Sequence, residues 1–243
     1  MNYLIVGASS GLGRELCYTF AQNKNNLVIC ARDIRDLNAL KSDIEKKFNV
    51  KVETIEIDLT SKESIKRILA KKKLFKKIDG ILFPVGLMFE KDKINLDIEK
   101  IDKLIQANFS SIANITSTYL SYKKKGLIVG FGSVSGYLGR ELNTYYAASK
   151  RALESYFESI GFANKKNDIK IQFYTLGYLD TNLSFGKKLI LPKGSPHTLS
   201  KIVYKNRNQK LKKYFFPKWW SLIVFLLKIL PYSLLVNFSI LKK

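Results

Sequence analysis

A chain of 243 residues has room for one sizeable α/β domain with a real core and too little for two comfortable ones, and an apolar fraction of 46% argues against wholesale disorder. The formal net charge of +22 directs attention to anionic partners, nucleic acid or acidic lipid. A single histidine, His197, argues against zinc catalysis and histidine-based triads, and two cysteines, Cys17 and Cys30, are too few for a disulfide scaffold. Both thiols are expected to be buried in a reducing compartment.

Short apolar runs alternate with longer helical patterns. The chain opens in a strand over 3–6, so no secretory signal is expected, and a helix follows over 12–23. Then come a strand over 27–31, a helix over 34–48, a strand over 50–57, a helix over 62–75 and a strand over 78–84. A long helix over 96–122, a strand over 126–132, a helix over 144–164 and a strand over 169–176 complete the alternation. This order predicts right-handed βαβ units and a parallel sheet covered on both faces, a three-layer α/β/α architecture. Beyond it lie a loop rich in glycine and lysine over 177–195, a short helix over 196–205, a last strand over 212–217 and a strongly apolar window over 219–241. Residues 1–217 are read as one nucleotide-binding domain and 218–243 as an apolar, basic, helical tail.

The first strand runs into Val6-Gly7-Ala8-Ser9-Ser10-Gly11-Leu12-Gly13, where a helix starts at once. A strand, a glycine-rich turn and a helix N-terminus together make a phosphate site. The glycines let the backbone approach a pyrophosphate, and the helix start offers unpaired N–H groups and positive partial charge. Gly7, Ser9, Ser10, Gly11, Leu12 and Gly13 are therefore candidate cofactor residues.

At these residues the sequence resembles the short-chain dehydrogenase/reductase family, and the resemblance continues to residue 182. The family's tyrosine–lysine pair appears as Tyr146-Ala147-Ala148-Ser149-Lys150, and its serine, thirteen residues upstream, as Ser133 in Phe131-Gly132-Ser133-Val134-Ser135-Gly136. Its helix-borne asparagine matches Asn108, its adenine-side acidic pair Asp58-Leu59, its post-strand glycine Gly86 and its carboxamide-contacting threonine Thr181. The resemblance implies a Rossmann-type doubly wound sheet, an NAD(P) cofactor touched also by Tyr146 and Lys150, and an oxidoreductase acting on a carbonyl or alcohol. It further implies that Asn108 holds a water linking Lys150 to solvent, and that the helices over 96–122 and 144–164 build a homodimer or homotetramer.

The chemistry is coherent residue by residue. A tyrosine with an ordinary pKa of about 10 is a poor acid–base group at neutral pH. Residues four apart share a helix face, so Lys150 can bring an ammonium to the Tyr146 phenol and favour phenolate. Ser133 can donate to the substrate oxygen, where charge builds during hydride transfer. Neighbouring Tyr145 has Ser149 as its partner four residues on, which supplies no cation.

Cofactor choice is read at the end of the second strand. An NAD-preferring enzyme places a carboxylate there for the ribose 2′-OH. This chain offers Ala31 and then Arg32, which suits a 2′-phosphate, with Asp33 one position too late. NADPH is favoured over NADH. The chain departs from the family at Phe83-Pro84-Val85-Gly86, where two asparagines normally stand ahead of the glycine, at Leu176-Gly177 in place of Pro-Gly, and at Val6 in place of threonine. The missing asparagines leave open how the centre of the sheet is held.

After Asp180 there is no acidic residue, whereas 13 lysines and arginines follow in 63 residues. On one continuous helix over the tail, Lys218, Ser221, Lys228, Tyr232 and Ser239 fall within roughly a quarter of the circumference. Lys228 and Pro231 sit near the centre of the apolar window, and three readings stand: an interfacial or hairpin-like membrane anchor, a spanning helix burdened by Lys228, and a soluble lid or dimer contact. Similar tails occur in family branches that reduce lipid-linked substrates. The resulting expectation is an NADPH-dependent reductase of an apolar or lipid-linked carbonyl, cytoplasmic and peripheral to a membrane, with no nucleic-acid partner and no metal. A non-catalytic NAD(P)-binding sensor or scaffold is the rival reading.

Overall fold

A computed structural model describes residues 1–90, 92–139, 141–181 and 191–237. In chain order the elements are β1 (Asn2–Val6), α1 (Gly11–Gln22), β2 (Asn26–Ala31), α2 (Ile34–Phe48), β3 (Val52–Glu56), α3 (Lys62–Leu69), α4 (Lys72–Lys77) and β4 (Gly80–Phe83). They continue as α5 (Ile98–Ile105), a π-turn (Gln106–Ser110), α6 (Ser111–Tyr122), β5 (Lys125–Ser133), α7 (Thr144–Ala163), β6 (Asp168–Leu176), α8 (Pro196–Asn206), β7 (Leu211–Phe216), α9 (Trp220–Ile229) and α10 (Tyr232–Asn237). All seven strands are parallel in the order β3-β2-β1-β4-β5-β6-β7, the doubly wound topology expected.

The strands are apolar on both sides because both faces are covered. In β1, Tyr3 and Ile5 pack into the layer formed with α1, α2 and α8, through Leu16, Phe20, Leu40 and Val203. Leu4 and Val6 face the opposite layer, where Ile65, Phe75, Ile115, Leu153 and Phe157 come from α3, α4, α6 and α7. Cys17 lies in the first layer and Cys30 in the second, both buried and both free, so the sheet itself separates the two thiols.

Three helical expectations are revised. The helix over 62–75 is two helices, α3 and α4, separated at Ala70 and Lys71. The helix over 96–122 starts at Ile98 and passes through the π-turn that contains Asn108, a distortion common at functional sites. The tail is not one helix: Pro231 has no N–H to give, Leu230 ahead of it is extended, and the chain restarts as α10. The polar stripe drawn across 218–239 therefore does not exist as one face, and Ser239 lies outside the described residues. Among the described residues no helix is long and apolar enough to cross a membrane. Instead α9 turns Trp220 and Val224 inward and leaves Leu222, Phe225, Leu226 and Ile229 exposed along its other side.

Candidate active site

Strand order reverses between β1 and β4, and the carboxyl ends of these strands open the crevice where doubly wound sheets bind their ligands. Gly7 and Gly11 both have φ in the left-handed region, +91° and +49°, which an L side chain adopts only with strain. The N–H groups of Gly7 and Ala8 donate to Cys30 O, at 2.8 and 3.0 Å, folding the turn against the end of β2. A Cβ on Gly13 would lie 1.8 Å from Gly7 O, so only glycine lets α1 start this close to the turn. Ser10 caps α1 without a side-chain bond, leaving first-turn N–H groups for a ligand. Thr181 comes to this turn as well, its methyl 3.2 Å from where a Gly11 Cβ would stand. The described part of the loop over 177–195 is closed at its base by Asp180 N–H to Gly194 O and Gly194 N–H to Tyr178 O; residues 182–190 of the expected substrate loop lie outside the described residues.

The remaining cofactor candidates line the same edge. Arg32 is exposed at the end of β2. Asp33 is engaged elsewhere: its carboxylate accepts from Arg35 Nε and a terminal Arg35 nitrogen at 3.2 and 2.8 Å, and it caps α2 through the Arg35 N–H. These bonds hold the Asp33 carboxyl down at about 2. Asp58 accepts from the Thr60 N–H and hydroxyl, and Leu59 O accepts from Ser111 Oγ at 2.7 Å, which fastens the turn after β3 to α6.

Ser133 ends β5 directly opposite Leu176 of β6. Its hydroxyl oxygen accepts from Ser135 N–H at 3.2 Å and Ser135 Oγ at 2.8 Å. Both bonds arrive at the oxygen, so the Ser133 proton is left to donate to a substrate oxygen. Tyr146 sits in the first turn of α7, and Lys150 Nζ lies 5.9 Å from its ring centre. The expected pair is therefore together. Lys150 is only 3% exposed, and its nitrogen donates to Val85 O at 2.6 Å and Phe131 O at 3.0 Å. Burial pushes its pKa from an ordinary 10.5 down to about 7.

Asn108 is wholly buried and grips Leu87 from both sides: its Oδ1 accepts the Leu87 N–H at 2.7 Å, and its Nδ2 donates to Leu87 O at 2.8 Å. A further bond at 3.2 Å reaches Ser149 Oγ, which itself donates to Tyr146 O. The Asn108 amide thus braces the loop that carries Gly86, a task the relay expectation did not include. Here lies the answer to the missing asparagines. The segment after β4 is held through its main chain, by Lys150 at Val85 and Asn108 at Leu87.

Sequence reasoning missed several neighbours. Ser135, two residues after Ser133, was legible as a hydroxyl turn partner. Tyr145 spends its hydroxyl on Ile94 O at 2.8 Å. Asp92 accepts the N–H groups of Tyr145 and Tyr146, and no spacing pointed to it. Glu154, one turn beyond Lys150, is buried and receives bonds from Lys213, Arg151 and Tyr137. Burial works to raise its pKa, but these donors hold it below the usual carboxylate range. Trp220 packs so tightly on Gly177 that its indole nitrogen would lie 1.7 Å from a Cβ there.

Comparison with known proteins is consistent with this geometry. The family described as short chain dehydrogenase matches residues 2–188. The chain is 28% identical over 231 residues to a hydroxysteroid 11-beta-dehydrogenase 1-like protein of Xenopus laevis, covering 89% of this chain and 77% of that one. It is 28% identical over 209 residues to the very-long-chain 3-oxoacyl-CoA reductase of Bos taurus, covering 83% and 67%. Among solved structures, a short-chain dehydrogenase from Sphingobium yanoikuyae in complex with NADPH superposes with a TM-score of 0.80 at 22% identity, over 95% of this chain and 96% of the other.

The buried lysine has a measurable signature. Folded Lys150 loses its proton near pH 7, the unfolded chain only near 10.5. Between those values the unfolded state binds the extra proton, so this site makes stability rise with pH. Melting temperatures of the native protein and Lys150→Met should differ most in favour of the variant at and below pH 7, the gap narrowing as pH rises towards 10.5. A gap independent of pH would exclude a depressed Lys150.

Proposed function

The chain belongs to the short-chain dehydrogenase family, an oxidoreductase family, and on that premise we propose that it is an NADPH-dependent reductase of a ketone or aldehyde carried on an apolar or lipid-linked substrate. The observation that carries this reading is the Tyr146–Lys150 pair on α7, with the Lys150 nitrogen bonded to Phe131 O, two residues before Ser133 at the carboxyl end of β5.

The glycine turn, with the free first-turn N–H groups of α1, would hold NADPH, which would supply the hydride. Ser133, its oxygen already occupied by Ser135, donates a hydrogen bond to the carbonyl oxygen and steadies the charge that grows there. Tyr146 protonates that oxygen to give the alcohol. Lys150, whose pKa lies near neutrality, lowers the cost of the phenolate and returns a proton to it. Asn108 keeps Leu87, and so the Gly86 loop, in place at the crevice that would take the cofactor.

Preference for NADPH is supported by the end of β2. Asp33, the carboxylate nearest to a ribose-binding position, is committed to Arg35 and the α2 cap, whereas exposed Arg32 is free to meet a 2′-phosphate. The bound NADPH of the Sphingobium yanoikuyae enzyme agrees with this choice. The apolar substrate is supported by α9, whose inner face packs at Gly177 while its outer face offers Leu222, Phe225, Leu226 and Ile229. With no acid after Asp180 and Lys218 exposed just ahead of α9, that outer face suits an anionic lipid surface, and the protein acts peripherally at a membrane. The very-long-chain 3-oxoacyl substrate of the Bos taurus relative is of the same apolar kind.

Three outcomes follow from this reading. With a long-chain 3-oxoacyl thioester as substrate, Tyr146→Phe should lower turnover at least ~10²-fold while NADPH still binds; near-native turnover would reject the mechanism. Arg32→Ala should raise the KM for NADPH by about 10-fold, the worth of a charge-assisted bond, and leave that for NADH unchanged; equal changes for both would remove Arg32 from cofactor choice. Phe225→Ser combined with Ile229→Ser should abolish co-sedimentation with phosphatidylserine-containing vesicles, and undiminished pelleting would remove α9 from membrane contact.

A further inference from the structure

Helix α7 begins without help from its own sequence. Its N-cap, Asn143, has φ +62° in the left-handed region and makes no side-chain capping bond. The first turn of a helix leaves N–H groups with no partner inside the helix, and they must find one elsewhere. Here a single residue on a different segment takes all of them. The Asp92 carbonyl oxygen accepts from Asn143 N–H at 2.7 Å and Thr144 N–H at 3.3 Å. Its carboxylate accepts from Tyr145 N–H on Oδ1 at 2.9 Å and from Tyr146 N–H on Oδ2 at 2.8 Å. Asp92 is completely buried, a place where a carboxylate is stable only when its charge is met. The N–H groups of Tyr145 and Tyr146 and the positive end of α7 meet it.

We infer that Asp92 is a positioning residue for the general acid Tyr146, an inference that rests on the reductase reading above. A local serine or aspartate at position 143 would have capped α7 equally well. Placing the carboxylate at 92 does something a local cap does not, because it ties the catalytic turn to the loop between β4 and α5. That same loop gives Val85 O to Lys150 and carries Gly86 towards the cofactor crevice. Two further contacts repeat the tie: Tyr145 OH donates to Ile94 O at 2.8 Å, and Lys93 pairs with Glu141 at 3.1 Å. One loop thus holds Lys150 near its start and the Tyr146 main chain near its end. The separation of phenol and amine follows from its shape. Misplacing a reacting group by about 1 Å costs on the order of 10²-fold in rate, so the loss of this tie should be read in turnover.

The test uses the full-length protein with NADPH, comparing Asp92→Ala, which removes both side-chain acceptors, with Asp92→Asn, which keeps one carbonyl oxygen. With the long-chain 3-oxoacyl thioester, well below the melting temperature of every variant, Asp92→Ala should lose about 10²-fold in kcat while the KM for NADPH stays within about twofold. Its solvent deuterium isotope effect on kcat should rise, because proton delivery from Tyr146 becomes limiting. Asp92→Asn should fall between the two. A lowered melting temperature with native kcat and isotope effect would reduce Asp92 to a structural cap and overturn the inference. A substrate-free arm separates this from the reductase reading: amide exchange of NADPH-bound Asp92→Ala should accelerate at least about 10-fold at 143–147 and remain native elsewhere. If the native protein reduces no carbonyl compound, the reductase reading fails while local acceleration still supports Asp92 as the holder of Tyr146; native exchange at 143–147 rejects it.

Discussion

The side-chain nitrogen of Lys150 lies between the carbonyl oxygens of Val85 and Phe131, and through these two bonds α7 is fastened to the ends of β4 and β5. Much of the site depends on that contact. It places a cationic or near-neutral nitrogen one helical turn from Tyr146, and it closes the main chain of the loop after β4 where the usual asparagines are missing. It also explains why the lysine is buried. The long side chain carries its nitrogen into the interior to meet two main-chain carbonyls, one just past the end of β4 and one near the end of β5.

Around this centre the polar groups act on one another in short chains. Ser135 turns the Ser133 oxygen into an acceptor, so the serine has its proton to give. Asn108, set in a π-turn, holds Leu87 and touches Ser149, which returns to Tyr146 O. Further along α7, Glu154 gathers Lys213 of β7, Arg151 and the hydroxyl of Tyr137, and Lys228 of α9 lies 5.0 Å from the centre of the Tyr137 ring. The tail is therefore packed onto the turn that follows Ser133 at one point and onto Gly177 through Trp220 at another. Its inner face belongs to the enzyme body. The outer face stays apolar and exposed.

Much of this was legible before any coordinates. The strands over 3–6 and 27–31 are visible because a parallel strand covered on both faces must be apolar at every position, and α7 keeps Tyr146 and Lys150 four apart, a spacing with one geometric meaning. Asp92 was illegible because its partners lie on another segment, and no periodicity links position 92 to position 146. The polar stripe over 218–239 fails because a helical wheel assumes one continuous helix, and Pro231, near the centre of the apolar window, interrupts it.

The sequence by itself determined the alternation of strands and helices, the glycine turn at the first βα junction, the Ser133–Tyr146–Lys150 spacing and the absence of acids after Asp180. Each of these is a local or compositional property, complete within a few neighbouring residues or a simple count. Only the tertiary structure decided that Lys150 is buried against Val85 and Phe131, that Asp33 is spent on Arg35, that Asp92 holds the start of α7, and that Trp220 closes on Gly177. Most of those join residues far apart in the chain, and even the neighbours Asp33 and Arg35 are oriented by the helix they cap. Their energies depend on burial and direction, which exist only once the sheet has brought its carboxyl ends together.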